Sequence, residues 1–339
     1  MEGGSSRKDV PLERVACPLC KAREEEFLFE GRDRIHGVPG TFPVVRCRAC
    51  SLIYINPRPS REGMARYYPP GYFTHRKLGT TPRKGLKPWI RKRIVQWYYG
   101  YPGDRGAESL NLCGRLLALP LFLMFKCDRR NSLVIPYQGD GRFLDVGCGD
   151  GSMLSFMRAG GWDVAGVEPD AGVADRLVTE CGYHVHAGEI EDSPFEPGTF
   201  DVILMSHVLE HLRKPTESLN RVHQLLKSGG RLYLRLPDGN SFCAKRFKDQ
   251  WFSLDVPRHL CTYTRETVRT LLEQTGFEVE SFKQDRNFLG LRKTLQFLDE
   301  KPGKVVSFLM KIKPLMQAVE YLILLFRRGD AMIICCRKP

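Results

Sequence analysis

At 339 residues, with 42% hydrophobic and 27% charged side chains, the chain has enough apolar material for a sizeable core and a length that predicts about two domains. Its net charge of +13 is unevenly placed: residues 76–140 hold 13 basic and 4 acidic side chains and residues 283–339 hold 12 and 5, whereas residues 141–282 hold 15 and 21. This excludes an evenly basic protein and predicts an acidic centre with basic flanks, suited to nucleic acid, an anionic membrane surface or a phosphorylated substrate, or serving only to balance the centre.

In chain order, residues 1–14 are expected to be disordered. The first sixteen residues are mostly polar and give no signal-peptide pattern, which predicts a cytoplasmic protein. Cys17-Pro-Leu-Cys20 and Cys47-Arg-Ala-Cys50 are two C-x-x-C knuckles 26 residues apart. Each can give two thiolates to one tetrahedral zinc ion, so residues 15–60 read as a zinc ribbon. Four thiolates leave no open position, which makes the metal structural. Its loss is expected to unfold residues 15–55 and leave the rest of the chain largely intact. The other eight cysteines have no such spacing and read as buried small hydrophobes.

Residues 61–140 form a basic, aromatic linker or cap. It contains Lys84, Lys87, Arg91, Lys92 and Arg93, the aromatics Trp89, Trp97, Tyr98, Tyr99 and Tyr101, and an apolar run from Leu116 to Phe125. That run is too short to span a bilayer. It is either an interfacial anchor, with peripheral membrane contact, or a helix packed on the following domain. The same choice holds for Val305 to Phe326.

From residue 141 to 284 the pattern alternates strand and helix. Strands are expected at 142–147, 162–167, 183–187, 200–205, 230–236 and 277–283, and helices at 151–160, 171–181, 215–227 and 264–275. Between the first strand and first helix lies FLDVGCGDG, where Gly147, Gly149 and Gly151 give a tight turn with bare backbone for a ligand. A dinucleotide fingerprint would place the third glycine one residue later, and Asp145 would repel a pyrophosphate. The acid favours a cationic ligand such as a sulfonium or an amine. Glu168 tips the second strand, about twenty residues on, where a carboxylate grips a ribose diol. Asp170 is the expected N-cap of the next helix.

FLDVGCGDG, GVEPD (Gly166 to Asp170), GEIED (Gly188 to Asp192), FDVILMSHVLEHL (Phe200 to Leu212) and LLKSGGRLYLRLP (Leu225 to Pro237) stand in the order found in the class I S-adenosylmethionine-dependent methyltransferases, which residues 141–282 resemble. The resemblance implies a Rossmann-like, doubly wound, seven-stranded sheet, with residues 285–329 a helical insertion acting as a cap and 330–339 the final, antiparallel strand. It implies that Asp145, Gly147, Cys148, Gly149 and Gly151 cradle the methionine end of S-adenosylmethionine. Glu168 and Pro169 then lie at the ribose, Glu189 and Ile190 beside the adenine, and Ser206 completes the cofactor set. CRACSLIYINPRP, Cys47 to Pro59, resembles the zinc module that precedes some methyltransferases of sugar and natural-product pathways.

Methyl transfer needs the acceptor in line with the sulfur–methyl bond, and an acceptor that is not already nucleophilic needs a base. His207 follows a strand at the lip of the cofactor cleft and is a candidate base; His211, one helical turn on, orients or packs. WFSLDVPRHLCTYT, Trp251 to Thr264, holds the other candidates. Trp251 and Arg258 are expected at the acceptor, the latter on a carboxylate or phosphate. His259 is either a base, as in sugar C-methyltransferases with a similar segment, or a cap on the following helix. Those enzymes have an acid where Arg258 stands. The leading function is methylation of a small molecule, namely a sugar, a sugar nucleotide or a lipid-linked glycan intermediate. RNA methylation, with ribbon and basic flanks gripping the RNA, and a non-catalytic scaffold are the alternatives.

Overall fold

The computed structural model describes residues 10–68, 86–102, 112–128, 132–286, 290–299, 312–326 and 328–339. Lys84, most of the 1–14 segment and part of the 305–326 run lie outside them.

The chain opens with β1 (Leu12–Glu13), β2 (Glu25–Arg32), β3 (Thr41–Cys47), β4 (Ile53–Ile55) and β5 (Arg58–Pro59). β2, β3 and β4 form an antiparallel meander, and β5 returns to pair with β1. A short helix, α1 (Arg61–Met64), is capped by the Ser60 hydroxyl, which accepts from the Gly63 N–H. Next come α2 (Leu86–Tyr99), α3 (Leu112–Leu117) and α4 (Leu119–Cys127).

The centre of the molecule is a seven-stranded sheet. Its strands are β6 (Arg142–Val146), β7 (Asp163–Glu168), β8 (His184–Ala187), β9 (Phe200–Ser206), β10 (Leu226–Pro237), β12 (Glu278–Gln284) and β13 (Ala331–Arg337), in the order β12-β13-β10-β9-β6-β7-β8. β6 to β10 run parallel and β13 is antiparallel to both neighbours. The strand order reverses between β6 and β9, and in open α/β sheets the crevice at such a point, beyond the carboxyl ends of the strands, is where ligands sit. β9 is almost wholly buried, which explains the near-continuous apolar run FDVILM in a strand covered on both faces.

The surrounding helices are α5 (Ser152–Ala159), α6 (Ala171–Cys181), α7 (Pro215–Leu225), α8 (Phe242–Phe247), α9 (Arg265–Gln274), α10 (Gly290–Gln296) and α11 (Lys313–Leu325). The Asp170 carboxylate accepts from the Val173 N–H to start α6, and Gly182 ends that helix at φ 61°. α9 begins in a capping box of Thr264 and Thr267. Thr264, not His259, therefore caps the helix after the PRHL stretch. The helix expected to reach residue 227 stops at Leu225, and the chain enters β10 at Leu226 with a register shift before Arg231.

The ribbon is stitched to the sheet domain. The fourth strand of its meander is β11 (Cys261–Thr262), which pairs antiparallel with β4. Arg58 and Arg213 both bond to Glu13. One continuous cluster runs from Cys17, Leu19 and Leu52 to Leu260, Tyr263 and Leu209. These contacts couple the ribbon to the sheet domain, since its unfolding would unpair β11 and open shared apolar surface.

The two apolar runs have a double character. Phe122 stacks on Tyr98 with ring centroids 4.1 Å apart, and Phe125 is buried. Met316 of α11 packs into a cluster with Leu291, Trp251 and Leu254. On their other sides, Leu117 (83% exposed) and Met124 (70%) of the first run and Leu325 (77%) and Phe326 (73%) of the second face outward. Among the described residues no helix is long and apolar enough to cross a membrane.

Candidate active site

The crevice at the switch point is built by the tips of three strands. After β6, Gly147, Gly149 and Gly151 all have positive φ (70°, 51° and 74°), which a side chain would strain. A Cβ on Gly147 would fall 2.6 Å from Cγ2 of Val208, so the loop after β9 closes directly on the glycine turn. The Gly147 and Cys148 N–H groups donate to the Val167 carbonyl.

Glu168, at the tip of β7, is buried and spans the turn: Oε2 accepts from the Gly149 N–H at 2.8 Å and Oε1 from the Asp170 N–H at 3.1 Å. Asp145 is buried beside it. Burial, reinforced by the charges of Glu168 and Asp150, pushes Asp145 up to about 8. Two adjacent buried acids and a bare glycine backbone suit a cationic ligand that carries a diol, which is the test S-adenosylmethionine must meet. Ile190 is buried, and Glu189 pairs with Arg61 from α1.

At the tip of β9, Ser206 is followed by His207 at φ 58°, in the left-handed region. His207 Nδ1 lies 3.2 Å from Glu210 Oε1. Glu210 is 1% exposed and its Oε2 has no hydrogen-bond partner. Burial alone would raise this acid, but the hydrogen bond from His207 and the nearby His259 and His207 hold it down at about 2. The His211 Nδ1–H donates to the Arg258 carbonyl (3.0 Å), with the Tyr68 hydroxyl 3.3 Å away. Burial and the neighbouring His259 push His211 down to about 4, which keeps it neutral. The His259 Nδ1–H donates to the Ser253 carbonyl at 2.8 Å, so the ring's Nε2 is its basic nitrogen. That Nε2 sits 3.9 Å from both Glu210 Oε1 and Asp255 Oδ2, and the His211 and His259 rings meet edge to face at 4.6 Å.

Two expected acceptor contacts are corrected. Arg258 is fully buried, its guanidinium spent on Asp33 (2.7 and 3.0 Å), Asp255 and the Tyr67 carbonyl. No donor faces the crevice. Trp251 is buried with its indole N–H on Asp330. Both act as packing and pairing groups. The residues that sequence reasoning missed are Glu210, Asp255 and Tyr68. Glu210 had a signal, because His207 and Glu210 stand three apart at a strand-to-helix turn and so share a face; Tyr68 has none, since it arrives from 139 positions upstream of His207.

The second cluster is the cysteine set. Cys17, Cys20, Cys47 and Cys50 bring their sulfurs within 4.8 Å of one another, with Cys17–Cys50 and Cys20–Cys47 at 3.5 Å. A tetrahedral zinc with bonds of about 2.3 Å places its sulfurs roughly 3.8 Å apart, so the donor set fits that ion. The knuckles are alike in backbone: Lys21 and Ser51, each next after a second cysteine, both adopt positive φ (63° and 64°).

Comparison with known proteins gives the domain. Residues 116–281 match a family model described as a methyltransferase domain. The ubiquinone biosynthesis O-methyltransferase of Aromatoleum aromaticum is 34% identical over 99 residues, covering 27% of this chain and 42% of that protein. The protein of the same name from Cereibacter sphaeroides is 28% identical over 175 residues, covering 48% of this chain and 68% of that one. A solved S-adenosylmethionine-dependent methyltransferase from Mesorhizobium loti covers 62% of this chain and 95% of its own at 17% identity and a TM-score of 0.43. The chain thus spans about two fifths of the first relative and two thirds of the second. Residues 116–281 thus match a methyltransferase domain, and the seven-stranded sheet order with its glycine turn is a Rossmann-like methyltransferase fold.

Proposed function

We propose that this chain methylates an oxygen of a small-molecule acceptor, of the class of a sugar, a sugar nucleotide or a lipid-linked glycan intermediate. The observation that carries the reading is the cluster of half-buried His207, His211 and His259 around buried Glu210, beside the glycine turn. Bound S-adenosylmethionine supplies a methyl on a sulfonium. Asp145, Gly147, Cys148, Gly149 and Gly151 would hold its methionine end, Glu168 and Pro169 its ribose, Glu189 and Ile190 its adenine, and Ser206 would close the set. Glu168 does so while ordering the turn through Gly149, so its role is double.

For the acceptor, His259 and His207 are the proton-accepting groups. The Ser253 carbonyl fixes the His259 tautomer with Nε2 carrying the lone pair, and that nitrogen lies 3.9 Å from the Glu210 and Asp255 carboxylates. The relatives named for ubiquinone biosynthesis O-methylation support oxygen as the methylated atom. The ribbon, with zinc on Cys17, Cys20, Cys47 and Cys50, is structural: it backs β11, and Tyr68, just after the ribbon, backs the His211 side of the cluster.

A lipid-linked acceptor is favoured by the outward apolar residues of α3, α4 and α11, with Lys126, Arg286 and Arg328 close by; peripheral contact with an anionic membrane follows. RNA is disfavoured because three of the aromatics that would stack bases are engaged, Tyr101 being buried and Tyr98 and Tyr99 lying against Phe122, which leaves Trp89 exposed.

Incubation with methyl-labelled S-adenosylmethionine and fractionated cell extract tests the reading. Label is expected in the lipid or small polar fraction, and label confined to RNA would overturn it. Sedimentation with anionic vesicles is expected to carry the protein down at low salt and less so at high salt. A protein left in the supernatant at both would make the apolar helices a plain cap.

A further inference from the structure

We propose that Glu210, His211 and His259 form a second metal centre, holding a divalent first-row transition ion at the acceptor end of the crevice. The proposal rests on the reading of this cluster as the acceptor site and assigns its chemistry.

Three observations converge. One ligand atom from each of the three residues lies within 4.8 Å of the other two. Glu210, almost wholly buried, keeps Oε2 without a hydrogen-bond partner while Oε1 receives His207. A buried carboxylate oxygen left unpaired is costly, and a cation is the partner that removes the cost.

The histidines carry the third observation. Each donates its Nδ1–H to a backbone carbonyl, His211 to Arg258 and His259 to Ser253, leaving Nε2 as the lone-pair nitrogen in both. Such outer hydrogen bonds are how metal-ligating histidines are oriented and made more basic.

Two imidazoles and one carboxylate suit Zn²⁺, Mn²⁺, Fe²⁺ or Co²⁺ and leave positions for an outside ligand, unlike the closed four-thiolate set of the ribbon. The acceptor's oxygen would take one such position. A cation there lowers the cost of removing the hydroxyl proton. His259 then serves as ligand, and His207, with 27% of its side chain exposed, receives the proton.

Mn²⁺ titration of the full chain, followed by loss of the free-ion electron paramagnetic resonance signal, tests this without turnover, because a hard ion avoids the thiolate site. One Mn²⁺ per chain is expected. Glu210→Gln and His259→Asn should each weaken it about tenfold or more while S-adenosylmethionine still binds, which shows that the fold survives. Absence of Mn²⁺ uptake at millimolar concentration overturns the proposal, as does unchanged affinity in both variants. Histidine-dependent turnover in protein that takes up no Mn²⁺ would sink the metal and leave the proton-acceptor reading of His259 standing.

Discussion

Arg258 and His259 are neighbours in sequence and enter two buried polar clusters of opposite kinds. Around Arg258 the account closes: two carboxylates, Asp33 and Asp255, and a carbonyl take up the guanidinium, and the ribbon is thereby locked to the sheet domain. Around His259 it stays open, with an unpartnered Glu210 oxygen and a basic ring nitrogen 3.9 Å from two acids. Full satisfaction gives a rigid joint, whereas incomplete satisfaction gives a place for chemistry. Removing one partner of a buried pair strands its counter-charge, while removing a proton acceptor or a ligand leaves the fold and takes the reaction.

The comparison breaks most visibly if His259→Ala keeps its turnover. The expected outcome is a fall in kcat of about 10²–10⁴, with the urea midpoint little changed. Arg258→Ala should do the reverse, costing roughly 3–5 kcal/mol of stability, read from urea unfolding, while the folded fraction retains cofactor binding. Arg258→Ala that unfolds like the parent protein would reduce the joint to a surface contact.

A smaller effect sharpens the contrast with the cofactor end. Asp145, raised to about 8 by burial, Glu168 and Asp150, is protonated in the free protein at neutral pH. A cationic ligand beside it draws the pKa down, so binding at pH 7 should release close to one proton, and affinity should rise as pH climbs through about 8. For stability the sign is opposite: a carboxyl whose folded pKa exceeds its unfolded one stabilises the fold at low pH, and the contribution fades between the unfolded value and about 8. Calorimetry in buffers of different ionisation enthalpy measures the proton, and Asp145→Asn should abolish it.

Much of the fold was legible because its signals are local. The strand expected at 142–147 is Arg142–Val146, that at 200–205 is Phe200–Ser206, and the helix expected at 171–181 has those bounds with the Asp170 cap. Hydrophobic period, glycine and cap are all short-range. The cofactor loop and the cysteine knuckles were legible for the same reason. Arg258 was misread because its principal partner, Asp33, stands 225 positions away, and an arginine after a proline looks the same whether it meets substrate or a buried acid. Glu210 was passed over between two histidines, its unpaired oxygen being a property of the packed site alone. The apolar runs could not be resolved by pattern, since Phe125 and Met124 are adjacent and face opposite ways.

The pairing of β4 with β11 bears on how such a chain can be inherited. Ribbons are usually pictured as beads that recombination adds to or removes from a catalytic domain at will. Here a strand of the bead belongs to residues 261–262 and its lock to residues 255–258, deep inside the catalytic sequence. A gene lacking the first sixty codons would encode a protein with a bare sheet edge at Cys261 and an arginine short of a counter-charge, and exposed edges of that kind invite aggregation. The unit that can be exchanged is therefore discontinuous: the ribbon can move between proteins only with the PRHL stretch that completes it.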